Sequence, residues 1–185
     1  MYRFGTSLFV SIVCFAGMSA IAQGTEQPTD PQIAHIAYTA GQIDIEAAKQ
    51  ALDKSHNKDI KGFAEEMVRD HEAVNKKALA LLDKLKVKPE DNDTSKSLAD
   101  AASKKREELS ILSGADFNKA YAENEVTYHQ TVNGALEKTL IPSAQNAELK
   151  SLLQTGLKLF KEHEKHAEKL PEEPDGLAKQ AACVA

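Results

Sequence analysis

The sequence predicts an all-α protein, folded as an up-down bundle of four main helices with one shorter additional helix. Aromatic residues make up only 5% of the 185 residues, Trp is absent, and Ala, Leu, Lys and Glu are abundant, which favours helices over sheets. Apolar residues recur at three- and four-residue steps along most of the chain. Breaks containing Pro, Gly or Asn separate these periodic segments. The 42% hydrophobic content suits a single globular domain.

The segment at residues 60–85 carries the longest helical stripe, with a histidine at its middle. The stripe consists of Ile60, Phe63, Ala64, Met67, Val68, His71, Val74, Ala78, Leu81, Leu82 and Leu85. His71 stands where the pattern requires an apolar side chain. We therefore treat this segment as the central helix and ask what His71 meets in the core.

The segment before it, at residues 31–53, predicts an antiparallel partner helix. Asp30 and Pro31 are expected to cap and start this helix. Its stripe consists of Ile33, Ile36, Ala37, Ala40, Ile43, Ala47 and Ala51. Asp44 falls inside the stripe. A break at residues 55–58, with Asn57 as a cap, makes the two helices a hairpin.

The second half of the chain predicts a shorter polar helix and a second hairpin. Residues 88–93 end the central helix, and residues 94–112 form the polar helix, with Leu98, Ala101, Ala102, Leu109 and Leu112 as its buried edge. The next helix begins near Asp116, and its stripe consists of Phe117, Tyr121, Val126, His129, Val132, Leu136 and Leu140. Pro142 and Ser143 are expected to form the turn into the last helix. The stripe of that helix consists of Leu149, Leu152, Leu153, Gly156, Leu159, Phe160, His163, Ala167 and Leu170.

Residues 1–22 have the form of a cleaved secretory signal peptide. Arg3 gives a positive start, residues 8–18 are a short apolar run, and residues 20–22 have the small-x-small form that precedes cleavage. The run is too short to span a bilayer comfortably as an anchor, and the Val13–Cys14 context does not suit lipidation. We expect a periplasmic protein with no membrane span after cleavage. It would have a flexible leader at 23–30, the bundle at 31–170 and a mobile tail at 171–185.

Charge and cysteine content narrow the function classes. The formal net charge of −5 argues against a nucleic-acid partner, which requires a basic face to offset phosphates. Cleavage after residue 22 leaves Cys183 as the only cysteine, so core packing alone must stabilise the exported chain. No cysteine or serine stands in a context typical of a catalytic nucleophile.

Asp44, His71, His129 and His163 each occupy the apolar stripe of a different helix. Asp44 and His71 lie at similar distances along the chain from the turn near Ser55, and His129 and His163 lie at comparable distances from the turn near Pro142, so the mismatches in height are small beside the lengths of the helices. We therefore predict that the four side chains share one polar site in the core. Two interpretations remain open: ligation of a divalent metal ion, or a metal-free hydrogen-bond network.

The usual two-metal oxidase pattern of bundle proteins is absent. That pattern places a glutamate three residues before each histidine, but Val68, Val126 and Phe160 occupy those positions. Glu125, four residues before His129, could approach the site or lie on a helix flank. For the cluster near the end of the last helix, we interpret His163 as inward-facing and His166 as solvated.

Residues 32–170 resemble the bacterial DUF4142 family of exported proteins. The resemblance rests on residues 60–64 leading into residues 67–71, on residues 112–117 leading through Tyr121 to His129, and on His163. It implies a ferritin-like helical fold and an envelope location, with members often labelled outer membrane proteins, but no established activity. Asp44 falls where the family usually has an acidic residue. Tyr128 and Lys158 depart from an aspartate and a proline that are common there.

Two function hypotheses follow. The first is a periplasmic bundle that binds a divalent metal in its core and acts in metal handling or envelope stress, with the metal ligands Asp44, His71, His129 and His163. The second is a metal-free structural or interaction protein that binds an envelope partner. The sequence identifies no substrate, catalytic residue, partner or oligomeric state.

Overall fold

The computed structural model describes residues 27–170, and the predicted signal peptide and C-terminal tail lie outside this range. Its elements are α1 (Asp30–Lys54), α2 (Lys58–Leu85), α3 (Asp93–Ser110), α4 (Gly114–Ala135), a π-helical segment (Leu136–Leu140), the one-turn helix α5 (Ile141–Ser143) and α6 (Ala147–Ala167). No strand occurs in this part of the chain. The all-α prediction is therefore confirmed. Within residues 27–170, no helix combines the length and apolarity needed to cross a bilayer.

Helices α1 and α2 form an antiparallel hairpin. Residues earlier in α1 contact residues later in α2. Lys49 lies near Glu72, whereas the amide of Asn75 donates to the carbonyl of Tyr38, eleven residues before Lys49. The side chain of Asn57 caps α2 by accepting from two backbone N–H groups at its start. The hairpin connection is short, which keeps Asp44 and His71 at similar heights.

The start of α1 differs from the prediction by one residue. The N-cap is Thr29, and its backbone N–H donates to the side chain of Gln32 at 3.0 Å. Asp30 instead uses both carboxylate oxygens to accept from the backbone N–H groups of Gln145 and Asn146, each at 2.8 Å. This carboxylate joins the beginning of α1 to the connection before α6.

Helix α4 continues past Ala135 through a π-helical segment and the one-turn helix α5. The predicted turn at Pro142 is wrong, because Pro142 lies within the first turn of α5, where its missing N–H is tolerated. A proline cannot donate to the carbonyl four residues earlier, and the wider π-helical turn directly precedes it. The true connection lies at residues 144–146, which brings His129 and His163 closer to one level.

Helix α3 lies outside the other long helices and packs mainly against α1. The Gln50 side chain donates to the carbonyl of Arg106, and the Lys54 ammonium donates to that of Ser110. Only Ser95 and Leu109 of α3 are buried. The prediction that Ala101 belongs to the buried edge of α3 is wrong, because Ala101 is exposed. Helix α3 packs mainly against α1, so only a narrow strip of its surface is covered.

The core consists of two apolar clusters with a polar layer between them. One cluster is centred on Phe63, Met67, Phe117 and Tyr121, and the other contains Ile33, Ile36, Leu81, Leu82, Leu136, Leu149, Leu153 and Phe160. Helices α1, α2 and α6 each contribute to both clusters, and α4 does so together with the π-helical segment that continues it. Asp44, His71, His129 and His163 lie between the two contributions of their respective helices. The apolar clusters therefore close the polar layer from both ends.

Candidate metal centre

The four predicted site residues meet in this polar layer. Asp44, His71, His129 and His163 are each at most 3% exposed. The Asp44 Oδ2 atom lies 3.1 Å from His71 Nε2 and 3.4 Å from His129 Nε2. The ring centroid of His163 lies 5.4 Å from that of His71 and 5.5 Å from that of His129. Four groups of ligand type, one from each long helix, thus converge in the interior.

The outer nitrogen of His129 is held by its own helix. His129 Nδ1 lies 3.0 Å from the backbone carbonyl oxygen of Glu125. A carbonyl can only accept, so Nδ1 must carry the proton and donate it. In the neutral ring, Nε2 then carries a lone pair, which is directed toward Asp44. This arrangement is typical of metal-binding histidines, whose second nitrogen is oriented by a carbonyl or carboxylate.

The outer nitrogen of His163 is held by a carboxylate on α2. His163 Nε2 donates to Asp70 Oδ2 at 3.1 Å. Burial would raise the pKa of Asp70, but hydrogen bonds from Arg69 and His163 outweigh it and lower that pKa, so the acceptor is charged. Burial and the neighbouring His71 lower the pKa of His163 to about 4. His163 is therefore neutral at pH 7 and keeps a lone pair on Nδ1.

His71 lies at the centre of the layer with its ring stacked on Phe160, with centroids 4.6 Å apart and planes 9° apart. Although Nε2 is close to Asp44, the two atoms do not meet the angular requirement of a hydrogen bond. Unpaired buried atoms accumulate at this point. Within residues 27–170, the atoms of the four site residues without a hydrogen-bond partner are Asp44 Oδ1 and Oδ2, His71 Nδ1 and Nε2, His129 Nε2 and His163 Nδ1.

The surroundings of Asp44 favour its ionised form. Burial alone would raise the pKa of Asp44, but the neighbouring imidazoles, chiefly that of His71, outweigh this effect and lower it. The pKa of His129 is lowered because burial exceeds the opposing attraction of Asp44. An anionic carboxylate inside an apolar shell requires a compensating positive group.

Glu125 is a fifth buried ionisable group that the sequence interpretation left undecided. It is 1% exposed, whereas the predicted core residue Val126 is only partly buried. Burial and the nearby charge of Asp44 raise the pKa of Glu125 well above its usual value. A four-residue spacing could have identified it, since buried residues of α4 recur as Phe117, Tyr121, Glu125, His129 and Asn133.

The ligand atoms form overlapping sets that fit a metal ion. One nitrogen from each of His71, His129 and His163 lies within 4.8 Å of the others, and Asp44, Glu125 and His129 form a second set within the same limit. A tetrahedral zinc ion with Zn–N bonds of about 2.0–2.1 Å holds its nitrogens roughly 3.4 Å apart. A modest movement of the three imidazole rings toward one another would bring their nitrogens to this separation.

Two other residues singled out in the sequence lie at the edge of the centre. The Tyr128 hydroxyl donates to the carbonyl of Ala40 at 2.8 Å, so this departure from the family pattern ties α4 to α1. His166 is exposed, and its Nδ1 lies 2.7 Å from Glu66 Oε2. On α4 itself, the carboxyl group near His129 is that of Glu125, whose Oε2 atom lies 3.8 Å from His129 Nδ1.

Comparison with known proteins identifies a family and a similar fold. The family model described as "Domain of unknown function (DUF4142)" matches residues 16–170. No curated protein matches the chain. Among solved structures, the fold is similar to that of CopM in its Cu(II)-bound form, with a TM-score of 0.59 and 17% sequence identity. The match covers 78% of this chain and 98% of the CopM chain.

Proposed function

Since the chain belongs to the DUF4142 family, whose description states no function, we propose a function from the buried centre itself: the protein binds one divalent transition-metal ion. His71, His129 and His163 supply three nitrogens, and Asp44 supplies a carboxylate oxygen. The observation that carries this proposal is the set of unpaired, inward-directed atoms on these four residues. Buried polar atoms without partners are costly, and a bound ion would satisfy several of them together.

The donor set favours a borderline ion such as Zn²⁺ or Cu²⁺. Imidazole suits zinc, copper, iron and nickel, whereas Ca²⁺ and Mg²⁺ prefer oxygen ligands. Asp44 supplies one negative charge toward a divalent ion, and Glu125, whose pKa is raised in the metal-free protein, would supply a second by releasing its proton when the ion binds. The orientation of His129 by a carbonyl and of His163 by Asp70 presents their lone pairs before the ion arrives.

We further propose that this binding serves metal handling or metal stress in the cell envelope. The export pattern at residues 1–22 supports the location, and the similarity of fold to a protein solved with Cu(II) supports Cu²⁺ as one of the first ions to test. Mature protein released from the periplasm, beginning at Gln23, is the expected form.

The metal-free alternative requires the polar groups to satisfy one another. Two of its hydrogen bonds are present, from His129 to the Glu125 carbonyl and from His163 to Asp70. Both point away from the centre of the layer. The inward atoms of the four site residues have no hydrogen bond of good geometry, although Asp44 Oδ2 lies 3.1 Å from His71 Nε2, and this is the reason to prefer the metal.

The test is a Co²⁺ titration of the purified chain, in which d–d absorption reports tetrahedral coordination. We expect one Co²⁺ per chain, displaced by Zn²⁺, with His71→Ala and His129→Ala each losing the absorption while remaining helical. Removing one of four ligands reduces affinity steeply, by at least the roughly 10- to 100-fold typical of groups that merely orient a ligand.

His56→Ala is the matched control, because His56 is exposed in the connection between α1 and α2. It should bind Co²⁺ as the wild type does. Unchanged Co²⁺ absorption in both His71→Ala and His129→Ala would show that the ion binds elsewhere and would refute the assignment.

A further inference from the structure

Groups of ligand type lead from the surface to the buried centre along the seam between α2 and α6. The side chains are 47% exposed at His166, 31% at Glu66, 17% at Asp70 and 1% at His163. Along this series His166 is bonded to Glu66 and Asp70 is bonded to His163, while Glu66 and Asp70 both lie next to Arg69. The series therefore ends on a proposed ligand of the buried ion.

His163 belongs to two ligand sets at once. Its ring joins His71 and His129 in the buried set, and it also joins Glu66 and Asp70 in an outer set whose ligand atoms lie within 4.8 Å of one another. One nitrogen faces Asp70, and the other, Nδ1, is buried with no partner among residues 27–170. No other proposed ligand connects the interior to partly exposed carboxylates.

The cavity beside the centre offers a poor path for a cation. It has a volume of about 70 Å³ and touches Asp44, His71 and His129. Apart from Asn75, Tyr128 and Thr131, its other lining residues are apolar. A hydrated divalent ion loses most of its solvation in such surroundings without gaining ligands. Along the acidic seam, by contrast, carboxylate and imidazole groups can replace the water ligands of the ion one after another.

We propose, on the basis of the metal-binding function above, that the α2–α6 seam is the entry route for the ion and that Glu66 and Asp70, next to His163, hold it first. Arg69 closes this route in the metal-free protein. Its Nε and Nη2 atoms donate to the two oxygens of Asp70 at 2.8 and 3.1 Å, and Nη2 lies 3.8 Å from Glu66. The arriving ion displaces this exposed guanidinium from the carboxylates and then moves past His163 to the lone pair on its Nδ1.

Glu66→Gln tests the route without touching the buried ligands. An entry group that lowers only the barrier changes the association and dissociation rates by the same factor. Stopped-flow Co²⁺ binding should therefore show both rates reduced, on the order of three- to tenfold, with the dissociation constant unchanged. The matched control is Glu72→Gln, the same change at an exposed residue of α2 that pairs with Lys49. It should keep the wild-type rates.

Arg69→Ala should act in the opposite direction and accelerate Co²⁺ association. Lys77→Ala removes a positive charge from an exposed position of the same helix and is the control for general electrostatics. The entry proposal is overturned if Glu66→Gln and Glu72→Gln have the same rates, or if Arg69→Ala and Lys77→Ala do. Failure of the wild type to bind Co²⁺ at all would instead overturn the metal-binding function itself.

Discussion

At the residue scale, the three buried histidines depend on neighbours that the helical stripes do not reveal. Periodicity correctly places His71, His129 and His163 inside, since each is buried. It cannot show that Asp70, which lies beside the stripe of α2, reaches His163 on another helix. It also assigned Val126 rather than Glu125 to the core, because a wide apolar stripe accepts either neighbour until the register of the helices is known.

The low pKa of His163 predicts a pH dependence of stability in the metal-free protein. The pKa is about 4 in the folded state and 6.5 in the reference state. Between these values the unfolded chain binds a proton that the folded chain does not, so stability falls as the pH drops from about 6.5 to about 4. This group alone contributes about 3 kcal/mol across that window. Denaturant unfolding with a chelator at pH 7 and pH 4.5 measures the difference.

His163→Gln should lose the part of this pH dependence that His163 contributes, because glutamine does not titrate, and should keep the part due to His129, whose pKa is also lowered. The exposed His56→Ala variant should keep the wild-type slope. An unchanged slope in His163→Gln would assign the titration to a different group.

At the element scale, the hairpin of α1 and α2 depends on a close approach at Gly41. A Cβ atom placed on Gly41 would lie 2.4 Å from Asn75 Oδ1. Asn75 is itself buried and donates to the carbonyl of Tyr38, so its side chain has little room to move. This contact lies one helical turn from Asp44 and His71 and holds their helices together.

Gly41→Ala should therefore destabilise the protein by about 1–3 kcal/mol, the usual cost of forcing an extra atom into a packed interior. Gly62→Ala is the same substitution in α2, where the added Cβ meets nothing within 4 Å. It should stabilise the protein by about 0.5–1 kcal/mol through the better helix propensity of alanine. Chemical denaturation of both variants provides the comparison. Equal changes of the same sign would show that α1 and α2 do not approach closely at Gly41.

At the scale of the whole molecule, the helices and their order are predictable from the sequence, whereas contacts set by the packing of separate helices are not. The breaks at residues 55–58 and 88–93 identify the ends of α1 and α2 because Asn and Pro act locally. The edge of α3 was partly wrong because its burial depends on α1, which is distant in sequence. The π-helical segment before Pro142 has no distinct composition and appears only in the folded chain.

The centre combines both kinds of information. Four polar residues interrupt four apolar stripes, and this pattern predicted a shared interior site that the structure contains as a layer between two apolar clusters. The orientation of the lone pairs and the burial of the Glu125 carboxyl group depend on how the helices are rotated against one another, to within one residue position. A single sequence does not specify that rotation.

The central claim is that the buried layer is a metal-ion site, and the melting temperature of the full purified chain with and without metal tests it most directly. Protein treated with a chelator and then dialysed free of it should melt several degrees higher when Zn²⁺ or Cu²⁺ is added, because an ion that binds only the folded state stabilises it by about 3 kcal/mol at a hundredfold excess over its dissociation constant. The shift should be present at pH 7.5 and disappear well below pH 6, where protons compete for the imidazoles. A melting temperature that neither ion changes at pH 7.5 would contradict the account.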